Sequence, residues 1–205
     1  MLGVFLHGQM DGASYVKGVF EAHLAKIGLT GENLRGKTIL EIGPGDSVGT
    51  AMIAYCYGAR SILIDTGKFA KTSFQIYSDL ADFLLHFGLR PPDLNGVKNL
   101  DDLLERCNAC YLTNGLTSFS KVETASIDLI FSQAVLEHIR KHEFDETMRE
   151  CFRVIKPNGV VSHRIDLRDH LGGALNNLRF SEKIWESKFF TDSGFYTNRI
   201  QFGEM

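Results

Sequence analysis

Short apolar runs alternate with longer stretches in which apolar residues recur at helical spacing. Five such runs predict strands, and they are Thr38–Ile42, Ser61–Asp65, Cys110–Thr113, Ile127–Ser132 and Val160–Ile165. Strands that alternate with helices predict an α/β fold, a doubly wound and mainly parallel sheet with helices on both faces. Ligands of such folds bind at the carboxyl edge of the strands.

Amphipathic stretches predict the helices that precede and connect these strands. The first runs from Ser14 to Ile27, and Gly28 can end it. The second begins near Ser47, after the first strand. Apolar residues from Leu136 to Ile155 predict one long helix, and residues 156–159 then predict a turn into the fifth strand.

Residues 68–110 are longer than a standard crossover and predict a helical insertion. An apolar stripe from Phe69 to Phe87 predicts one helix, and Asn99 can cap the start of a second. The two helices could form a lid over the carboxyl edge of the sheet. A stripe of this kind more often packs into a core, and we expect core packing.

A glycine turn follows the first strand within the segment Lys37–Ser47. Gly43 and Gly45 carry no Cβ, so the backbone can approach a ligand closely. Glu41 precedes the turn, where an acid would repel a pyrophosphate and attract a cationic or amine-bearing ligand. The turn therefore predicts a ligand site, and its acid favours a cation.

A competing phosphate-binding pattern overlaps this segment. Residues 31–38 satisfy G-x-x-x-x-G-K-[ST]. A phosphate loop must follow a strand and open a helix, whereas a helix precedes this segment and a strand follows it. We therefore expect residues 31–38 to be a polar loop.

An acid also stands at the end of the second strand. Asp65 lies about 20 residues beyond the glycine turn, the spacing at which an acid can accept hydrogen bonds from ribose hydroxyls. The alternative is an aspartate that only shapes the turn.

The composition is that of an ordinary globular protein of one domain, with 205 residues, 44% of them hydrophobic and 23% charged. A net charge of −3 gives no bulk attraction to nucleic acid or anionic membrane. No apolar run approaches the ~20 residues that span a bilayer, and the apolar start, Met1–Leu6, is too short for a signal peptide. We expect a cytoplasmic protein with neither nucleic acid nor membrane as partner.

The cysteines and histidines do not build a metal site by spacing. Cys107 and Cys110 form a C-x-x-C at the end of a predicted helix, with no second pair to complete a zinc site, so we expect free thiols. His138 and His142 are four apart beside Glu143, but no third ligand follows at a convincing spacing. We therefore expect no metal.

Four sequence blocks, in order, resemble the class I S-adenosylmethionine-dependent methyltransferases, closest to the group called methyltransferase type 11. The blocks are Leu40–Gly45, Asp65, Ile127–His138 and Arg153–Val160. The resemblance covers roughly residues 36–166, the expected core of a single domain over residues 1–205. It implies S-adenosyl-L-methionine as the cofactor.

The resemblance also implies where the cofactor binds. The implied cofactor-binding residues are Glu41, Gly43, Pro44, Gly45, Asp65, Asn114, Gly115, Ser132 and Gln133. The glycine turn would approach the methionine part of the cofactor, Glu41 would lie beneath its cationic region, and Asp65 would bind the ribose hydroxyls. The loop after the third strand, at residues 114–115, would border the adenine. The end of the fourth strand, at residues 132–133, would face the methionine amino group or the acceptor. Many relatives carry a third glycine where Ser47 stands here.

Candidate catalytic residues cluster after the fourth and fifth strands. His163 could act as a base oriented by Asp166, and His138 is a third candidate. Arg164 and Arg168 could hold an anionic acceptor. The alternative is that His138 is a structural histidine bonded to backbone and that the charges are solvated.

The tail, residues 167–205, differs from the helix and two-strand hairpin with which family members continue. It is rich in aromatic residues and broken by glycines, and it predicts an acceptor-side loop with one short helix, Glu182–Phe189. We therefore expect a sheet without its usual final strands, as in a truncated chain. Its uncovered fifth strand could pair with a second copy in a homodimer.

The function that this reading favours is methyl transfer from S-adenosylmethionine to a small-molecule acceptor through an oxygen or nitrogen nucleophile. One alternative is a non-catalytic domain that binds S-adenosylmethionine or S-adenosylhomocysteine as a sensor or partner subunit. Another is an NAD-dependent oxidoreductase. Glu41 argues against it, as does Val48 at the last position of the required G-x-G-x-x-G.

Overall fold

The computed structural model describes residues 11–204, so the apolar start, Met1–Leu6, lies outside the described residues. The α-helices in this range are α1 (Ala13–Lys26), α2 (Gly49–Cys56), α3 (Phe74–His86), α4 (Leu100–Arg106), α5 (Lys141–Val154), α6 (Glu182–Trp185) and α7 (Lys188–Thr191). The strands are β1 (Thr38–Ile42), β2 (Arg60–Ile64), β3 (Ala109–Leu112), β4 (Ile127–Gln133) and β5 (Ile155–Arg164).

These strands form one parallel sheet in the order β3-β2-β1-β4-β5. The predicted doubly wound α/β fold is confirmed. Ile42 pairs with Ile64 on one side and with Ser132 on the other, so the carboxyl ends of the three central strands align. Within residues 11–204 no strand pairs with the outer edge of β5, and a homodimer through that edge stays a prediction.

Each face of the sheet carries a hydrophobic core. On one face, β-strand residues such as Leu63 and Phe131 pack with α1, α2, α3 and α4. On the other, residues such as Leu40 and Ile130 pack with α5. Burying a Leu, Ile or Phe side chain stabilises a fold by about 1.5–3 kcal/mol, so the faces fix the helices against the sheet.

The helical insertion packs into the first of these cores. Tyr77, Leu80 and Leu84 of α3 are buried there, as core packing requires, and the lid alternative is wrong. The side chain of Asn99 accepts the N–H of Asp102 at 2.9 Å, which confirms the predicted cap of α4.

The segment that matched a phosphate loop has the geometry of a connection. Gly31–Leu34 forms a 3-10 turn after α1, and β1 follows it. No helix opens after the pattern, so its amides cannot form a helix N-terminus for phosphates.

The long helix predicted from Leu136 to Ile155 is wrong in its first turns. Leu136–His138 is a 3-10 turn, the backbone at Ile139 is extended, and α5 begins at Lys141. The side-chain amide of Asn198 donates to the carbonyls of Leu136 and Ile139, at 2.7 and 3.0 Å. Buried backbone carbonyls need hydrogen-bond donors. The tail supplies the donor for these two carbonyls, which in a continuous helix would accept backbone N–H groups.

The predicted turn at residues 156–159 lies inside β5 as a bulge. Ile155 pairs with Ile127 and Val160 pairs with Leu129, so β5 uses more residues than β4 between these two pairs. The strand regains regular pairing from Val160 to Arg164.

The tail folds around one buried aspartate and one buried tryptophan. The carboxylate of Asp169 accepts the N–H groups of Leu171, Ala174 and Asn177. Trp185 is fully buried, and its indole donates to the carbonyl of Thr197 at 2.7 Å. The single predicted helix Glu182–Phe189 is two short helices, α6 and α7.

Three sequence expectations concern the cysteines, a metal site and a membrane span. All four cysteines, which lie in the described range, are free, as predicted. Residues 11–204 hold no cluster of three or more His, Cys, Asp or Glu side chains arranged for a metal ion. No helix in the same range has the length and apolar character needed to cross a membrane.

Candidate functional site

The glycine turn is locked between β1, β2 and the loop after β4. Gly43 has φ 70° and Gly45 has φ 62°, in the left-handed region that glycine tolerates. The N–H of Gly43 donates to the carbonyl of Ile64 at 2.8 Å. A Cβ at Gly43 would lie 2.4 Å from Cγ2 of Val135, so only glycine fits. The turn therefore holds its position through both backbone conformation and close contact.

Glu41 is a buried acid at the base of this turn. It is 7% exposed, and its Oε2 has no hydrogen-bond partner. Burial raises the pKa of Glu41 to about 8, a hydrogen bond from Thr50 opposes the rise, and the nearby charge of Asp65 adds to it. Without a cation beside it, Glu41 is mostly neutral at pH 7.

Asp65 closes the turn from the end of β2. Its Oδ2 accepts the N–H of Gly45 at 3.1 Å, and its Oδ1 accepts the N–H of Thr66 at 2.7 Å. Burial raises the pKa of Asp65 above its usual value, and these backbone hydrogen bonds oppose the rise without cancelling it. The carboxylate thus shapes the turn, and each oxygen keeps a lone pair for a ligand hydroxyl.

The loop after β3 lies against the loop after β2. The N–H of Gly115 donates to the carbonyl of Asp65 at 2.8 Å, and the side chain of Asn114 is exposed beside it. The hydroxyl of Tyr111 donates to the carbonyl of Gly67 and thereby anchors the loop after β2. Asn114 and Gly115 therefore border the site next to Asp65.

Ser47 fills the place of the third glycine without disturbing the helix start. Its Oγ accepts the N–H of Gly49, the first residue of α2, at 3.0 Å. The side chain takes one of the unpaired donors at the start of the helix.

Ser132 and His163 meet on neighbouring strands because the sheet register pairs them. Ser132 Oγ and His163 Nδ1 are hydrogen-bonded at 2.7 Å, and Ser132 is fully buried. Ser132 therefore does not present its hydroxyl to an open crevice. Burial lowers the pKa of His163 to about 4, and its Nε2 is buried without a partner.

The structure does not bring Asp166 to His163 as an orienter. The Asp166 carboxylate accepts from Arg168 Nε and Nη2, at 3.0 and 2.8 Å, and Arg168 holds the pKa of Asp166 at about 2. His138 Nδ1 is hydrogen-bonded to the carbonyl of Tyr196 at 2.8 Å, and its ring packs on His170. His138 thus has the backbone contact of a structural histidine.

Helix α1 contributes side chains that the sequence reading missed. His23 Nδ1 is hydrogen-bonded to Ser162 Oγ at 2.8 Å, and its Nε2 is buried without a partner. Tyr15 lies near enough to Glu41 and Arg164 for both charges to act on its pKa. α1 precedes the region of resemblance, and the one signal available was a histidine between the apolar residues of its buried face.

Glu41, Asp65 and the glycine turn fit S-adenosylmethionine by their chemistry. The unpartnered oxygen of Glu41 suits a cationic or ammonium group, and the free lone pairs of Asp65 suit ribose hydroxyls. An ionised Glu41 at the turn would repel the pyrophosphate of NAD, whereas Asp65 suits a ribose in either cofactor. Glu41, Asp65, Gly43 and Gly45 are therefore the residues that would hold the cofactor.

A family model described as a methyltransferase domain matches residues 95–162, less than half of the chain. No curated protein sequence matches the chain. The match includes β4, α5 and the first part of β5, and thus two of the elements whose ends border the site.

Solved methyltransferases are similar at low identity. One is phosphoethanolamine N-methyltransferase 2 from Haemonchus contortus, with a TM-score of 0.48, 18% identity and 87% of this chain covered. Another is protein arginine methyltransferase 10 from Arabidopsis thaliana, with a TM-score of 0.42, 20% identity and 77% of this chain covered. This chain spans 33% of the first protein and 38% of the second, so neither assigns it an acceptor. Over residues 95–162 this chain is thus similar to methyltransferase domains, and its fold is a parallel sheet with a glycine turn at the carboxyl edge.

Proposed function

We propose that this chain transfers a methyl group from S-adenosylmethionine to a small-molecule acceptor. The observation that carries the proposal is the buried carboxyl of Glu41, whose Oε2 has no partner at the base of the glycine turn. An unpaired buried acid destabilises the protein, and a cationic ligand would relieve that cost. When bound, S-adenosylmethionine supplies an electrophilic methyl group on a sulfonium.

The chain's own residues would position the reactants and exclude water. Glu41 and Asp65 hold the two ends of the cofactor site by charge and by hydrogen bonds, while the glycine turn keeps them in place. Methyl transfer depends mainly on such positioning. We keep His163 as the proposed base, because its imidazole is neutral near pH 7 and its Nε2 is unpartnered. Ser132, rather than Asp166, orients its ring.

The arginines near the site do not define the charge of the acceptor. Of the two arginines considered for an anionic acceptor, Arg168 is paired with Asp166, while Arg164 at the end of β5 is exposed. The pairing weakens the case for an anionic acceptor held by both.

A non-catalytic cofactor-binding domain is the second candidate. The observation that favours it is the placement of the predicted catalytic groups: His138 contacts backbone, Asp166 contacts Arg168, and His163 is half-buried and hydrogen-bonded to Ser132. Such a domain would bind cofactor with the same residues and release no methyl product.

Calorimetric titration separates these readings. We expect S-adenosylhomocysteine to bind the wild-type chain and NAD to show no heat of binding. Glu41→Gln should weaken S-adenosylhomocysteine at least about tenfold, because a charge-assisted hydrogen bond is lost. Glu105→Gln, an exposed acid on α4, should bind like wild type.

Turnover then distinguishes enzyme from sensor. The chain is incubated with methyl-labelled S-adenosylmethionine and a panel of small amines, alcohols and carboxylates, and labelled product is counted. Product with one acceptor class supports the enzyme. Tight S-adenosylhomocysteine binding without product across the panel favours the sensor, and NAD binding in place of S-adenosylhomocysteine contradicts both.

A further inference from the structure

A cavity of about 340 Å³ opens between the turn after β4, the segment after β5 and the tail. Its volume is at the lower end of the range for small-molecule pockets. Five of its twelve lining residues are apolar, and they are Leu167, Leu175, Leu178, Ile200 and Phe202. Leu175 and Leu178 are 62% and 60% exposed, so they present apolar surface without a covering partner in the described chain.

One buried acid in the wall has an unused oxygen. Glu137 is 2% exposed, its Oε1 accepts the N–H of Asp166 at 2.9 Å, and its Oε2 has no hydrogen-bond partner. No lysine or arginine within residues 11–204 forms a salt bridge with it. The side-chain oxygen of Asn177, a second wall residue, is also buried and unpartnered. The wall therefore offers two acceptors that lack donors.

The cations nearest these acceptors are engaged elsewhere. The guanidinium of Arg199 lies 4.6 Å from the centre of the Trp185 ring, donates to the carbonyl of Asn177 and faces Glu182 at 3.6 Å. Its Nε is the only unpartnered buried side-chain donor among the described wall residues, and it belongs to a side chain fixed by these contacts. Arg168 is paired with Asp166. A ligand that donates to Glu137 would thus meet no free arginine among the described residues here, and the other cationic group whose charge acts on Glu137 is His170.

We propose that this cavity binds a small amine, whose ammonium group donates to Glu137 Oε2 and whose apolar body packs on Leu175 and Leu178. A buried acceptor without a donor is costly, and a charged donor is its strongest partner. The apolar wall removes the ligand's hydrocarbon from water. The binding site stands whether or not the proposed methyl transfer is correct.

The single tryptophan of the chain provides a direct readout. Trp185 lies beneath Arg199, which lines the cavity, so ligand binding should change its fluorescence. The probes are hexylamine and hexanol, which share an apolar chain and differ in the head group. At pH 7 we expect hexylamine to bind at least about tenfold more tightly than hexanol, since a hydrogen bond to a charged group is worth more than a neutral one.

Two variants test the two parts of the site. Glu137→Gln should remove the preference for hexylamine over hexanol, whereas Glu105→Gln should keep it. Leu178→Ser, at an exposed position that leaves the core intact, should weaken both probes about equally. If Glu137→Gln does not fold, two results still test the proposal. The wild-type chain should prefer hexylamine over hexanol, and Leu178→Ser should bind both probes more weakly.

Equal affinity of the two probes for the wild-type chain, or a preference that survives in Glu137→Gln, would overturn the proposal. The absence of any Trp185 response to either probe would overturn it as well. S-adenosylhomocysteine is titrated into the same proteins. Its binding should be unchanged in Glu137→Gln, so failure of the amine site and failure of the cofactor site give different results.

Discussion

Two buried glutamates stand at the two halves of the sheet's carboxyl edge, and their surroundings arise in different ways. Glu41 lies beside the glycine turn, and the groups that act on its carboxyl, Thr50 of α2 and Asp65 after β2, are close to it in sequence. Glu137 is enclosed by residues of the tail, such as Asn198, whose N–H donates to the Glu137 carbonyl at 2.8 Å. Each has one oxygen without a partner. A local motif builds the first site, and long-range packing builds the second.

The largest effect that we expect concerns the pH dependence of stability at Glu41. Its pKa in the folded chain is raised from 4.5 to about 8, so the unfolded chain ionises first and stability falls as pH rises through this window. Glu41→Gln removes this loss and should stabilise the ligand-free chain at pH 8, relative to pH 5, by as much as about 4 kcal/mol. Urea unfolding at the two pH values measures the difference.

Glu105→Gln is the control for that series, since its side chain is exposed. The control should follow the wild-type pH profile. If Glu41→Gln also follows the wild-type pH profile, Glu41 is already ionised in the folded chain, and the account of Glu41 as a buried, unpaired acid is wrong.

The next effect tests how rigid the turn beside Glu41 is. Gly43→Ala places a Cβ against Val135 and forces a left-handed backbone on alanine, and we expect a loss of about 3 kcal/mol. Gly28→Ala shares the backbone conformation, at φ 69°, but has nothing within 4 Å of the added Cβ. That control should lose only about 1 kcal/mol.

Chemical denaturation of both glycine variants measures the two losses. Equal losses would mean that the contact with Val135 relaxes freely, and the turn would then be held by backbone conformation alone.

The site around Glu41 could be predicted from the sequence because the residues that form it lie close together in the chain. The strand, the two glycines and Asp65 are readable in order, and the structure places them together. The site around Glu137 could not be predicted in this way, because residues far away in the chain form it. Asn198 interrupts the predicted helix from a distance of about sixty residues in the chain, as its contact with Leu136 shows.

The candidate catalytic residues show the same limit. His163 and Asp166 are close in sequence, so pairing them was natural, but the sheet register places His163 opposite Ser132. His23 and Tyr15 reach the edge only because α1 packs over it, and no local pattern carries that information. A period-two pattern fixes which face a residue takes, whereas the neighbour on that face depends on strand order.

A smaller effect should appear at the β4–β5 side under acid. Burial lowers the pKa of His163 from 6.5 to about 4, so the unfolded chain binds a proton first and stability falls as pH drops through this window. His163→Asn should reduce the stability lost between pH 7 and pH 5 by about 2 kcal/mol. Thermal unfolding at the two pH values measures it.

The exposed histidine on α3 provides the control, since His86→Asn removes an imidazole that is not buried. The control should keep the wild-type loss. If His163→Asn and the wild type lose the same stability in acid, His163 is accessible to protons in the folded chain, contrary to its lowered pKa.

Proton release on cofactor binding tests the central claim most directly. Glu41 is mostly protonated at pH 7 in the free chain and should ionise when a cationic ligand binds beside it. S-adenosylmethionine is titrated calorimetrically at pH 7 in buffers of different ionisation enthalpy, with Glu41→Gln in parallel. We predict that the wild-type chain releases close to one proton per ligand bound and that Glu41→Gln releases almost none. No proton release from the wild type, or the same release from the variant, would contradict the assignment of Glu41 as the cofactor's charged partner.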